Sequence, residues 1–251
     1  MKIAICGKGG SGKSTVAALL AREMERRGFR VVVIDSDESN SGLYRMLGFA
    51  SPPEPLMELL GGKKGVKQKM SQPNIFAESE ISITGIPEPY ILHSNSLYMV
   101  AIGKIMQSLE GCACPMGVLS REFLKKLKLG QRELAVVDME AGVEHFGRGV
   151  ETSIDSILIV VEPPLESIEV ARKIHKLAKE IGVKNVRAIL NKIPSGDIAE
   201  RLKMILQKNQ FDVIGSLDYD QEIFKASLEG RIPDEGRSVS EIRHIADRML
   251  A

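Results

Sequence analysis

Residues 7–15 read Gly7-Lys8-Gly9-Gly10-Ser11-Gly12-Lys13-Ser14-Thr15, the GxxxxGK[ST] spacing of a phosphate-binding loop. The stretch lies between an apolar run, Ile3-Ala4-Ile5-Cys6, and an Ala/Leu-rich segment from Val16 to Met24 with helical spacing. That strand–loop–helix setting separates a working loop from a Gly/Ser/Lys-rich linker. Gly9, Gly10, Ser11 and Gly12 let backbone N–H groups converge on an anion, and the following helix directs its positive end there. Lys13 adds a point charge toward the β- and γ-phosphates, while Ser14 is placed to ligate magnesium and Thr15 continues the loop into the helix.

Working outward, apolar β-rich runs alternate with helical patterns, which predicts an α/β fold. The expected arrangement is a single phosphate-loop NTPase domain over 1–251, with a mostly parallel twisted sheet covered by helices on both faces. Strands are expected near 2–6, 30–35, 81–84, 97–102, 134–138, 156–161, 185–190 and 213–217. Helices are expected near 13–28, 41–48, 116–128, 165–182, 196–208, 220–229 and 238–250. Segment 50–75 breaks this rhythm with Ser51-Pro52-Pro53-Glu54-Pro55, a short Leu56–Leu60 helix candidate, Gly61-Gly62 and four lysines, Lys63, Lys64, Lys67 and Lys69. It reads as an excursion above the sheet whose charges form a solvated face.

The lysine at the second position of the loop changes the expected mechanism. With Lys8, the loop resembles the deviant Walker A class, which includes the nitrogenase iron protein and the MinD/ParA ATPases. In that class the extra lysine reaches across a two-fold interface to the partner subunit's nucleotide. The resemblance therefore implies a homodimer whose closure depends on ATP, with Lys8 and Lys13 both serving catalysis.

Two acidic segments complete the expected nucleotide machinery. Val31-Val32-Val33-Ile34-Asp35-Ser36-Asp37 is a strand ending in carboxylates, at the sheet edge where open α/β folds place their ligands. By resemblance to the same class, Asp37 positions the attacking water; Asp35 either holds magnesium-bound water or caps the turn. Leu134-Ala135-Val136-Val137-Asp138-Met139-Glu140-Ala141-Gly142 is a buried strand ending in an acid. Asp138 is thus the expected Walker B residue, binding magnesium through water, and Gly142 gives the next loop freedom to move. Asn191, at the end of Val186-Arg187-Ala188-Ile189-Leu190, is the candidate base reader, since an amide can donate to and accept from a base edge. ATP is expected over GTP because Asn191-Lys192 is followed by Ile193-Pro194 rather than by the guanine-reading aspartate pattern.

Composition excludes other classes. A net charge of +1, no Trp, four Tyr and seven Phe leave neither the basic patch nor the stacking surface of a nucleic-acid binder. Three cysteines, an odd number, and no secretory signal point to a reducing, cytoplasmic setting. No apolar stretch is long enough to span a bilayer, and Ile242–Leu250, though amphipathic, reads as a packing helix rather than a membrane foot. Cys6, inside the first strand, reads as a small packed apolar residue.

The other two cysteines sit in Gly111-Cys112-Ala113-Cys114-Pro115-Met116-Gly117. In extended backbone, positions i and i+2 face the same side, so both sulfurs can bind one metal ion, whereas a disulfide between them is strained. A helix expected just after Pro115 would lower the thiol pKa toward the ligating thiolate. One such pair is half a site; a nearby two-fold axis would supply four sulfurs.

Lys8, the CxC segment and Asp138-Met139-Glu140-Ala141-Gly142-Val143-Glu144-His145-Phe146-Gly147-Arg148-Gly149 together resemble the nickel-insertion ATPases that mature carbon monoxide dehydrogenase, the CooC type. The accessory ATPase of acetyl-CoA synthase is closely similar. The resemblance covers nearly the whole chain and implies that Cys112 and Cys114 of two subunits jointly hold nickel, with ATP hydrolysis driving closure and delivery to the apo-enzyme client. It places Glu144 and His145 in the second switch, without a ligand role. Nickel itself is an implication of the resemblance, because thiolate sites also take Zn2+. Two other classes compete: an iron–sulfur reductase like the nitrogenase iron protein, whose ligand cysteines are far apart in sequence, and a metal-free spatial organiser of the MinD/ParA kind.

Overall fold

A computed structural model describes residues 1–38, 42–69, 75–103, 114–143, 145–146 and 149–251. Its frame is an eight-stranded sheet in the order β3-β4-β2-β5-β1-β6-β7-β8. The strands are β1 (Lys2–Gly7), β2 (Arg30–Asp35), β3 (Ile91–Ser94), β4 (Leu97–Ala101), β5 (Glu133–Asp138), β6 (Ser156–Val161), β7 (Asn185–Ile193) and β8 (Asp212–Asp218). All neighbours are parallel except β3 and β4. The central strands are continuous apolar runs, as burial on both faces requires: Val31 to Ile34, Leu134 to Val137 and Ile157 to Val161 are all buried.

Residue alternation sends these side chains to two separate cores. Ile3, Ile5, Val31 and Val33 meet the helices α1 (Lys13–Arg26) and α9 (Arg237–Leu250), together with the single turn α2 (Leu43–Met46). Ala4, Cys6, Val32 and Ile34 point to the opposite face, covered by α5 (Cys114–Lys126), α6 (Leu165–Glu180) and α7 (Gly196–Lys208). Cys6 is wholly buried in this layer, as its place in the first strand suggests. Helix α9 buries Val239, Ile242, Ile245, Ala246 and Met249, so its apolar stripe is used up against the sheet. Gly215 of β8 permits that approach: a Cβ there would lie 2.5 Å from Cγ1 of Ile245. Among the described residues, no helix is long and apolar enough to cross a membrane.

Three expectations need correction. Residues 81–84 are not a strand: Ile81 makes one isolated bridge to Leu127, and Ile83–Gly85 is a 3-10 turn. The reason is spacing, since Ile83 and Ile86 bury themselves three residues apart, a turn's period rather than a strand's. The eighth strand is instead β3, paired antiparallel with β4 so that Ser94 faces Leu97 across the tight Asn95-Ser96 turn, where Asn95 has φ 52°. Helix α5 starts at Cys114, with Pro115 inside its first turn where a missing N–H costs nothing. Cys114 therefore heads a helix rather than ending an extended stretch, and Cys112 lies outside the described residues.

The excursion holds α3 (Leu56–Leu59) and α4 (Gly62–Lys69). Leu56, Met57 and Val66 join the core with Met116, Leu119 and Phe123 of α5, so this segment is packed onto that helix. Lys64 and Lys67 are exposed while Val66 is buried, in keeping with a solvated lysine face.

Candidate functional site

Strand β1 ends at Gly7, whose φ of 151° and lack of Cβ let the chain leave the sheet beside β6; a Cβ would sit 2.6 Å from the Val160 carbonyl oxygen. The loop then turns through Ser11, whose backbone N–H donates to the Lys8 carbonyl at 3.2 Å. Helix α1 starts after Gly12, which has φ 92°. No side chain caps it and no acidic residue lies in its first turn, so its first N–H groups remain available to an anion. Lys13 is buried, with its ammonium 3.4 Å from the Lys8 carbonyl oxygen it donates to.

The carboxylates arrive by register. Asp35 lies opposite Asp138 across the β2–β5 pair, and Ile5 stands on the other side of Asp138. The backbone N–H of Asp37 donates to Asp35 Oδ1 at 3.2 Å, the turn-capping geometry weighed for Asp35, and Asp37 lines the cavity. Asp138 is fully buried; Ser14 Oγ donates to its Oδ2 at 2.6 Å, whereas Oδ1 has no hydrogen-bond partner among the described residues. Burial pushes the Asp138 carboxyl up to about 7, against the opposing pull of the Ser14 hydrogen bond; Asp35 and Asp37 raise it further, while Lys13 lowers it. A buried acid with an orphaned oxygen beside a serine hydroxyl is what a magnesium ion would relieve. Among the described residues no cluster of three or more His, Cys, Asp or Glu side chains is set to hold a metal by itself.

A cavity of about 540 Å³ opens above the loop, lined by Gly9, Gly10, Gly12, Lys13, Ser14 and Thr15 on its floor. Its far wall comes from Tyr219, Ile223 and Phe224, in and before α8 (Gln221–Leu228). The sequence reading missed these three, together with Lys192 and Glu162. Asn191 lines the cavity, yet its Nδ2 donates to the Ser11 carbonyl at 2.7 Å. Its amide thereby braces the phosphate loop. Glu162 joins two lysines at the loop: Oε1 is 3.2 Å from Lys8 Nζ and Oε2 is 3.5 Å from Lys192 Nζ. Nothing in the pattern around Glu162 signals this, because the contact depends on the β1–β6 pairing. Of the expected second switch, Glu144 lies outside the described residues; His145 is buried with its ring 4.8 Å from that of Phe146. The loop carrying them is tied to the phosphate loop through the Gly142 N–H, which donates to the Gly7 carbonyl at 3.2 Å.

Residues 2–233 match the CobQ/CobB/MinD/ParA nucleotide binding domain. The chain belongs to this family. It is an ATPase, and ATP with magnesium is the ligand expected of the family. An uncharacterised ATP-binding protein of Methanocaldococcus jannaschii is 42% identical over 253 residues, covering 98% of each chain. The carbon monoxide dehydrogenase accessory protein CooC of Rhodospirillum rubrum is 34% identical over 240 residues, covering 92% of this chain and 88% of its own. Among solved structures, the Mg-ADP complex of the septum site-determining protein MinD from Pyrococcus horikoshii superposes with a TM-score of 0.73 at 19% identity, covering 99% of this chain and 95% of that one. At that identity the likeness speaks for the fold alone.

Proposed function

We propose that this ATPase is a nickel-insertion factor for carbon monoxide dehydrogenase, or for acetyl-CoA synthase, that works as a homodimer. The observation that carries the reading is the CxC pair, Cys112 and Cys114, in a chain 34% identical to the CooC accessory protein and with Cys114 at the head of α5. Nickel is cargo here, held by the four thiolates of two protomers, and the positive end of α5 favours the thiolate form. Lys13 and the amides of Gly9, Gly10, Ser11, Gly12, Ser14 and Thr15 hold the phosphates. Ser14 and Asp138 hold magnesium, directly or through water, with Asp35 beside them; when bound, the ion neutralises charge on the β- and γ-phosphates. Asp37 orients the attacking water, Asn191 meets the base, and Lys8 crosses to the partner subunit's nucleotide as the dimer closes.

The excursion and α5 share one core through Met57 and Met116, which both approach Gly103; a Cβ on Gly103 would lie 2.6 Å from Met116 Sδ. Helix α5 is in turn linked to the nucleotide edge, since Ser120 Oγ lies 3.0 Å from Ser36 Oγ, between Asp35 and Asp37. This physical connection supports coupling of nucleotide state to the head of α5. The reading is tested by activating nickel-free carbon monoxide dehydrogenase with nickel, ATP and this protein. Activation that needs ATP and is lost in the Cys112→Ser/Cys114→Ser variant is expected; equal activation by that variant would overturn the reading.

A further inference from the structure

Glu162 follows β6 directly, and the β1–β6 register sets Val160 opposite Gly7, so residue 162 must emerge beside the start of the phosphate loop. Its backbone is pinned there by its N–H, which donates at 3.1 Å to the hydroxyl of the buried Ser167 in α6. Its carboxylate is 12% exposed, whereas the lysines it joins, Lys8 and Lys192, are 35% and 45% exposed. The anion is therefore the sheltered member, and the cations stand at the rim where they can swing. Lys192 is held at φ 57°, a left-handed conformation that a lysine rarely adopts. This conformation accompanies a side chain that crosses the loop: its Nζ donates to the Gly10 carbonyl and its Cε lies 3.9 Å from where a Gly12 Cβ would be.

We propose that Glu162 is an internal anion that keeps Lys8 and Lys192 at the loop, yields Lys192 to the β- and γ-phosphates of an entering nucleotide and frees Lys8 for the partner subunit's nucleotide. Without it, Lys8 and Lys192 would lose the carboxylate that pairs with both of them at the loop, leaving two more ammonium groups beside Lys13 and the backbone N–H groups of an anion site. With it, every nucleotide that recruits those lysines must first compete with a carboxylate. A nucleoside monophosphate has no β- or γ-phosphate to make that exchange. Glu162 is thus a positioning residue that sets how strongly the site grades nucleotides by phosphate number, and it sets when Lys8 is released. The inference rests on the loop being the nucleotide site.

Calorimetric titration of the native protein and of Glu162→Gln with magnesium and the imido analogue of ATP, ADP or AMP tests it. Removing the competing charge is expected to tighten the ATP analogue about fivefold, ADP by less, and AMP by under about twofold. Glu162→Asp retains the charge and is expected to stay within about twofold of native for all three. In a Lys192→Gln background the gain from Glu162→Gln should fall, because one of its two partners is gone. Unchanged or weaker binding of the ATP analogue by Glu162→Gln would overturn the proposal, as would an equal gain for AMP or the same gain from Glu162→Asp. Native protein that bound no nucleotide would remove the site assignment as well; native binding that ignores Glu162 removes only this role.

Discussion

Replacing Asp138 with asparagine should make the nucleotide-free protein more stable at alkaline pH while abolishing turnover. In the native protein the folded-state pKa of about 7 stands above the ordinary value of 3.8. A raised folded pKa contributes stability in full below the unfolded pKa, and that contribution is lost as pH rises through the folded one. Roughly three pKa units at about 1.4 kcal/mol each give a total near 4 kcal/mol, of which about 3 kcal/mol is lost between about pH 5 and pH 8. Asparagine cannot ionise, and its carbonyl can still accept from Ser14 Oγ, so Asp138→Asn should escape this loss. Urea unfolding of both proteins without nucleotide or magnesium, at fixed ionic strength from about pH 5 to 8, reads the difference. The native curve should fall relative to the variant by about 3 kcal/mol. ATP hydrolysis by the variant should drop about a hundredfold or more, because a charge aimed at the magnesium site is missing. Parallel stability curves would refute the reasoning, since Asp138 would then not be an acid whose ionisation is opposed by burial.

The other predictions concern the loop and the thiols. Gly12→Ala places a Cβ 2.3 Å from Asn191 Nδ2 at a φ of 92°, and is expected to cost about 1–3 kcal/mol in thermal unfolding and to weaken nucleotide binding. Lys8→Ala should bind nucleotide as a protomer but lose ATP-dependent dimerisation; an unchanged dimer fraction by light scattering would count against a cross-subunit contact. Lys13→Ala should lose nucleotide binding yet keep thiol-dependent metal uptake, and Cys112→Ser/Cys114→Ser should do the reverse, which paired nucleotide and nickel titrations separate.

Those features that local chemistry dictates were legible in the sequence. Gly7, Gly10 and Gly12 all adopt positive φ, so the glycine pattern of the loop encodes its path directly. Asp138 could be placed because a continuous apolar run ending in one acid describes a buried strand reaching a site. The strand over 91–94 escaped because its signal is the tight turn at Asn95-Ser96, while Ile81 to Ile86 offered an apolar content that a turn uses equally well. Glu162, Lys192 and the aromatic wall at Tyr219 and Phe224 belong to strands and helices far apart in sequence, and they meet only because β1, β6, β7 and β8 are adjacent. Asn191 was found by its position at a strand end, but its hydrogen bond to Ser11 is a tertiary fact with no local trace.

The central claim is that two protomers share one metal through Cys112 and Cys114 while ATP governs their association. Nickel titration of the purified protein with and without ATP, read together with oligomer size by light scattering, tests it most directly. One nickel per two chains, bound by a dimer that ATP stabilises, is the predicted result. One nickel per chain on a protomer that ATP leaves unchanged would contradict it.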